Sequence, residues 1–419
     1  MNQKQIELYN KKQQRLYAAK TNIGFDIQNI GTNTRTVALP ERPSFEEIKE
    51  GVWLKKDVIK FPDGNFSNVY DLFWTHHNVK VTPFIHSEKK PFYLLDYMEK
   101  NPSILAIMSG SFFFLVDFPQ AEPKDYPFHF CVRHHKVMGL LSSDEPILYI
   151  KDGELFAKDA NAVGTIQIGD TKLEWVGEKH SKFAQTNANS ATLYNSGSAK
   201  LIKEYDPTSK VRMGRLDYSC IKTPEKTNVV DLIVNKDKKN DLVVSDINTG
   251  GGTHYFDGLF ILQIKSNNNT FKVGDKVMPL TIDDLDLKDI STGITIGKSV
   301  RSEYFRTAER INSRDARSVI ARDNKGNTHF VVFDGCKYIP KFNGVSAKDI
   351  SEYFSENKYE WAYFLDGGSS SRIIVKRGRT KEFLANEFAF KKINTYTFLW
   401  DYKRHRKLAS SIGLKLNDN

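Results

Sequence analysis

The sequence predicts an α+β fold: strand-rich mixed sheets with few helices and a candidate active site on an edge where strands end. Three observations predict it. Short apolar runs alternating with turn residues recur through most of the chain. Helical spacing with a start signal stands out in two places, near residue 92 and after Ser346. Residues 315–374 then read in order as a hairpin, a helix, a strand and a bend of glycines and serines.

The early strand-like runs are "VKVTPFI", "ILAIM", "FHFCVR", "PILYIKDGELF", "TIQIGDTKLEWVG" and "ATLYN", with Asp-Gly and Gly-Asp pairs as hairpin turns. "PFYLLDYMEKN" predicts a helix with Pro91 in its first turn and Phe92, Leu95 and Met98 on one face. Residues 1–45 read as a basic N-terminal arm, 46–400 as one domain with an insertion at 222–258, and 401–419 as an exposed basic tail.

The chain has 419 residues, 40% of them hydrophobic, enough for a sizeable core and too apolar for global disorder. A net charge of +10 favours anionic partners: phosphate esters, acidic glycans, or nucleic acid bound through the basic surface. Cys131, Cys220 and Cys336 have no CxxC spacing, which argues against a disulfide framework and a structural zinc site. No apolar run approaches a membrane span and no secretory signal is visible, so the expectation is a cytoplasmic protein with no membrane partner. The Asn65 and Asn268 sequons are then incidental.

The most informative block folds on paper. "ARSVIAR" and "THFVVFDG" flank the turn "DNKGN", so Arg317 starts one strand opposite the end of the other, near Asp334. Ser346 is a helix N-cap with Asp349 at the box position, Val345 as a staple to Ile350, and Ile350, Tyr353 and Phe354 as the apolar stripe. "WAYFL" is the next strand and ends at Asp366. Strand, helix, strand at this spacing is a crossover that makes the two strands parallel if they share a sheet, which would bring Asp334, Asp366 and Arg317 to one rim. Asp366 can act as acid, base or metal ligand. Gly367 and Gly368 bare the backbone, and Ser369, Ser370 and Ser371 add hydroxyl donors suited to phosphate or sugar oxygens.

These stretches resemble the phosphodiester glycosidase domain family. Its marks are an arginine-bearing strand, a strand ending in Asp-Gly, a helix, and a strand ending in Leu-Asp-Gly-Gly-Gly-Ser-Ser; here they are similar to "DARSVIA", "FVVFDG", "GVSAKDISEYF" and "FLDGGSSS". A further hallmark, Asn-Gly-Gly-Phe-Phe after an apolar strand, is similar to "ILAIMSGSFFF", which adds Ser109, Gly110 and Ser111 to the candidate substrate-binding residues. This chain differs from the family at Ser109, Ser111, Phe364 and Ser369, and has "STGITIG" for a Gly-Gly-Gly-Pro stretch.

The resemblance implies a hydrolase that cleaves a sugar from a glycosyl phosphodiester. Arg317 and the bend would hold the phosphate, and Asp334 and Asp366 would serve as catalytic or metal-binding carboxylates. Which aspartate takes which role stays open. No cofactor is called for with certainty, and a divalent cation bridging the two carboxylates suits the oxygen ligands. The alternative is a family member without turnover that binds an anionic glycan or nucleic acid.

Other motifs read as structural. "GITIGKS" has Thr292 where a phosphate-binding loop needs glycine. His76, His77, His129, His134 and His135 lack helical zinc spacing. The basic runs Lys11, Lys12, Arg15 and 403–407 come without a stacking platform, and Phe112, Phe113 and Phe114 read mainly as core.

Overall fold

The computed structural model describes residues 42–111, 130–178, 189–195, 222–255, 257–266, 270–303, 313–335, 341–355, 358–385, 390–392, 398–400 and 407–417. Phe112, Phe113, Phe114, His129, Cys220, Cys336 and nearly all of the N-terminal arm lie outside them. The single domain expected over 46–400 is divided into two compact units. One unites Met1–Phe84, Pro91–Ser111 and Gly297–Asn419; the other unites Ile85–Lys90 and Phe112–Ile296.

The strands that lie wholly or partly in the first unit are β1 (Ser44–Lys49), β2 (Val52–Lys60), β3 (Phe66–Thr75), β4 (Val81–Phe92), β5 (Ile104–Ser109), β6 (Arg317–Asp323), β7 (Asn327–Phe333), β8 (Tyr359–Phe364), β9 (Ile373–Arg377), β10 (Thr380–Leu384), β11 (Phe390–Lys392), β12 (Phe398–Trp400) and β13 (Leu408–Leu416). Its helices among the described residues are α1 (Leu94–Lys100) and α2 (Ala347–Tyr353). One sheet runs β1-β2-β3-β7-β6-β8 with every neighbour antiparallel. A second runs β10-β9-β5-β13-β4.

The predicted hairpin is β6–β7, in register from Arg317 opposite Phe333 to Arg322 opposite Thr328. β8 pairs with the other side of β6, so β7 and β8 run the same way with β6 between them. The crossover through α2 therefore skips one strand and still brings two strand C-termini to one rim. Val319, Ala321, Val331, Phe333, Ala362 and Phe364 point to one face and pack with Val345, Ala347, Ile350 and Phe354.

α2 begins as its sequence dictates. The Ser346 side chain accepts from the Asp349 amide, Asp349 accepts from the Ser346 amide, and Val345 and Ile350 are both buried. Ser346→Ala removes an acceptor from an orphan amide. It is expected to lower stability by about 1 kcal/mol, read as a shift in the denaturant midpoint.

Two expectations give way. α1 starts at Leu94 rather than Pro91, which belongs to β4, and its buried residues are Leu94 and Met98, an i,i+4 pair. The stretch after residue 401, expected as an exposed tail, supplies β13, buried from Leu408 to Leu414 and paired to β5. The basic run before it masked a short strand of small and apolar residues, "LASSIGL", that suits a crowded sheet centre.

In the second unit, an eight-stranded sheet and a five-stranded sheet surround a core that includes Trp175, Phe260, Leu232 and Phe130. Its pair Thr171–Gly177 and Ser190–Tyr194 is parallel, so the sheet is mixed. The stretch 222–258, expected as an insertion, provides Val229–Lys236 and Leu242–Thr249, two strands of the large sheet. The Asp-Gly hairpin appears as predicted, with Asp152 at φ 52° and Gly153 at φ 80°. Cys131 is a buried thiol whose Sγ lies 3.6 Å from Ser87 Oγ. "GITIGKS" begins in strand Ile290–Thr295, and the described residues that follow it, to 303, form no helix. Among the described residues no helix is long and apolar enough to cross a membrane.

Candidate active site

The rim is built by register. Phe333 faces Arg317 across β6–β7, and Val319 faces Phe364 across β6–β8, so Asp334 and Asp366 leave their strands on either side of the β6 start. Two interstrand spacings put their backbones about 10 Å apart. Each carboxylate residue is anchored through its backbone. The Asp334 amide donates to Asn68 O (2.7 Å), and its carbonyl accepts from Ser67 Oγ (2.8 Å). The Asp366 amide donates to Gly110 O (3.0 Å), and its carbonyl accepts from Ser109 Oγ (3.4 Å). Both residues are mostly buried, at 5% and 8% exposure. One oxygen of Asp334 accepts from the Gly335 amide (2.8 Å). A carboxylate held in such a setting is stiff and poorly hydrated, which suits transfer of a proton or attack on carbon more than a solvated role.

Arg317 lies over the bend: a Cβ on Gly367 would sit 3.6 Å from its Cδ and Nη1. Its Nη2 donates to Ser313 O (3.0 Å), while its Nε is buried with no hydrogen-bond partner among the described residues. Burial pulls its pKa below the usual arginine value, against the neighbouring Asp315, which raises it. An arginine stays protonated in proteins, so this direction marks a poorly solvated cation that gains from meeting an anion.

The bend itself departs from the expected surface row of donors. Gly368, at φ +59°, adopts the left-handed region, and its amide donates to Ala316 O (2.7 Å). The amides of Ser370 and Ser371 close a short 3-10 turn onto Gly367 O and Gly368 O (both 3.1 Å). Those N–H groups are therefore occupied rather than presented. The side chains of Ser370 and Ser371 are fully buried, with hydroxyls that have no partner among the described residues. Gly367 and Gly368 are half-buried, and the burial of the Ser369 side chain lies outside what the structure describes.

Ser109, Gly110 and Ser111 lie beneath the rim rather than on it. Ser109 is fully buried with its Oγ 3.1 Å from Ser318 Oγ, tying the two sheets of this unit together. A Cβ on Gly110 would come within 2.5 Å of Ser410 Oγ and 2.9 Å of the Ser411 amide, so the close approach of β13 requires glycine there. The Ser111 amide donates to Ser410 Oγ (2.9 Å). The terminal strand is thus part of the floor of the site.

Sequence reasoning missed Asp315, Ser318 and Ser410. The signal for Asp315 was available: it stands two residues before Arg317, on the same side of an extended chain. Ser410 could be found only through the pairing of β13 with β5, a contact of some 300 residues' separation. Among the described residues, Asp334 and Asp366 belong to no cluster of three or more metal-type ligands. His134 and His135 sit in a tight turn at φ 49° and 59°, and His76 Nδ1 meets Gly326 O at 2.9 Å.

The phosphodiester glycosidase family matches residues 231–415. No curated protein sequence matches the chain. A hypothetical protein from Synechocystis is similar in structure, with a TM-score of 0.56 at 11% identity over 94% of this chain and 68% of that one. A putative exported protein from Burkholderia pseudomallei K96243 aligns with a TM-score of 0.49 at 13% identity, over 84% of this chain and 74% of that one. The zebrafish N-acetylglucosamine-1-phosphodiester alpha-N-acetylglucosaminidase catalytic domain, auto-inhibited by its pro-peptide, aligns at 0.36 and 10% identity, over 94% and 88%.

Proposed function

We propose, from the phosphodiester glycosidase domain that this chain carries over residues 231–415, that it hydrolyses a sugar linked through its anomeric carbon to a phosphodiester, at the Arg317–Asp334–Asp366 rim. The observation that supports this most is the strand register, in which Asp334 and Asp366 follow the ends of the two strands that flank the β6 start at Arg317, beside the half-buried Gly367–Gly368 backbone.

In this reading Arg317 holds the phosphate by charge-assisted hydrogen bonds from its guanidinium. One carboxylate accepts a proton from water as the water oxygen attacks the anomeric carbon. The bond from that carbon to the phosphate oxygen breaks, and its electron pair leaves with the phosphate. Arg317 stabilises the charge that accumulates there. The other carboxylate supports the positive charge that develops on the sugar ring. The alternative assignment, with one aspartate as a covalent nucleophile, uses the same residues.

The test is turnover of a nucleotide sugar and of a p-nitrophenyl-type glycosyl phosphodiester in ¹⁸O-labelled water. Label is expected in the released sugar. Label in the phosphate would mean cleavage at phosphorus and overturn the reading. Anion binding without turnover would instead favour a family member that binds its ligand and does not cleave it.

A further inference from the structure

Asp315 is the feature of the rim that phosphate binding leaves unexplained. Its Oδ2 lies 3.3 Å from where a Cβ on Gly368 would stand, while Arg317 covers the neighbouring Gly367. Its position is held at both ends: Oδ1 accepts from the Ala316 amide (2.9 Å), and its backbone pairs with Val345 (3.0 and 3.1 Å). The bend is therefore flanked by one cation and one fixed anion, two residues apart on the same extended segment. A site meant only to maximise phosphate affinity has no use for that carboxylate, which sits beside the backbone open to the ligand.

We propose that Asp315 is a specificity-determining residue, a charge filter that admits a phosphate carrying one negative charge and disfavours one carrying two. The inference rests on the hydrolase reading above. There, the substrate is a phosphodiester, a monoanion, and the product released from the sugar is a phosphomonoester, a dianion above its second pKa near 6. Arg317 offers one positive charge, which a diester neutralises. The second charge of the product meets Asp315. With a separation of about 6 Å and intermediate screening, one such repulsion changes affinity by about three- to tenfold. The filter would bind substrate, expel product and limit inhibition by free phosphate.

Calorimetric titration of the full chain at pH 8 with methyl phosphate and dimethyl phosphate tests this. The wild type is expected to bind the singly charged diester at least as tightly as the doubly charged monoester. Asp315→Asn is expected to tighten methyl phosphate by about three- to tenfold and to move dimethyl phosphate by less than half as much on a logarithmic scale. The proposal is overturned if the wild type prefers methyl phosphate, if it binds neither anion, or if the variant shifts both equally or not at all. The wild-type comparison decides even if the variant fails to fold. Neither measurement needs turnover. A chain that filters anions yet cleaves no glycosyl phosphodiester would sink the hydrolase reading alone, and one that cleaves it without filtering would sink this inference alone.

Discussion

Asp366→Asn is expected to lower kcat on a glycosyl phosphodiester by about 10²–10⁴-fold, the range for removing a positioned acid, base or nucleophile. The change keeps the shape and leaves the backbone hydrogen bonds to Gly110 and Ser109 intact, so the melting temperature should hold. An equal loss in kcat and kcat/KM marks a group acting in the transition state, whereas a rise in KM alone would reduce Asp366 to a binding residue. Arg317→Lys provides the contrast. A lysine keeps the charge and loses the planar fork, so kcat should fall by about 10²-fold through weaker stabilisation of the leaving phosphate. If Asp366→Asn retains full activity while Arg317→Lys does not, the catalytic carboxylate lies elsewhere on the rim.

The second large effect concerns a group that the sequence reading passed over. His329 lies on the α2 side of the sheet, about 16 Å along β7 from the Asp334 rim. It is buried between two carboxylates, with Nδ1 2.9 Å from Asp71 and Nε2 3.4 Å from Asp323. It also stacks on Phe73 at 5.1 Å and meets the edge of Tyr359 at 5.3 Å. Burial pushes its pKa down, but the attraction of Asp71 and Asp323 outweighs this and raises it to about 9. Asp323 moves the other way: burial raises its pKa, while the bonds to His329 and Asn327 bring it well below the usual carboxylate range.

The sign of the pH effect follows. A histidine whose folded pKa exceeds its unfolded value of about 6.5 contributes its full stabilisation below that value and loses it as pH rises through about 9. Unfolding free energy should therefore fall by about 3 kcal/mol between pH 6.5 and pH 10. His329→Gln removes the cation and leaves the buried Asp71 and the half-buried Asp323 without it, at an expected cost of about 3–5 kcal/mol near neutral pH. It should also flatten the alkaline part of the profile. Denaturant unfolding across pH for both proteins checks this, and parallel profiles would remove His329 from the account.

Much of the site's local chemistry was legible. The β6 turn, the α2 capping box and the end of β8 at Asp366 each rest on residues within a few positions of one another, where backbone sterics and local hydrogen bonds decide. The aspartates could also be assigned to a common rim, because a crossover of that length runs parallel and right-handed. The orientation of the serines was not legible. "GGSSS" is compatible with an exposed row of hydroxyls, and only the 3-10 turn and the sheet beneath it direct Ser370 and Ser371 inward.

The same divide explains the remaining differences. Composition and alternation by themselves determined a strand-rich α+β chain, its basic character, the capped helix and the acidic ends of two strands, since these depend on near neighbours. Tertiary structure alone decided that "LASSIGL" is an interior strand, that β6 lies between β7 and β8, and that His329 is buried between Asp71 and Asp323. Pairings and ion contacts such as β13 with β5 and His329 with Asp71 join residues hundreds of positions apart and depend on which surfaces meet, and no local stretch of chain carries that information.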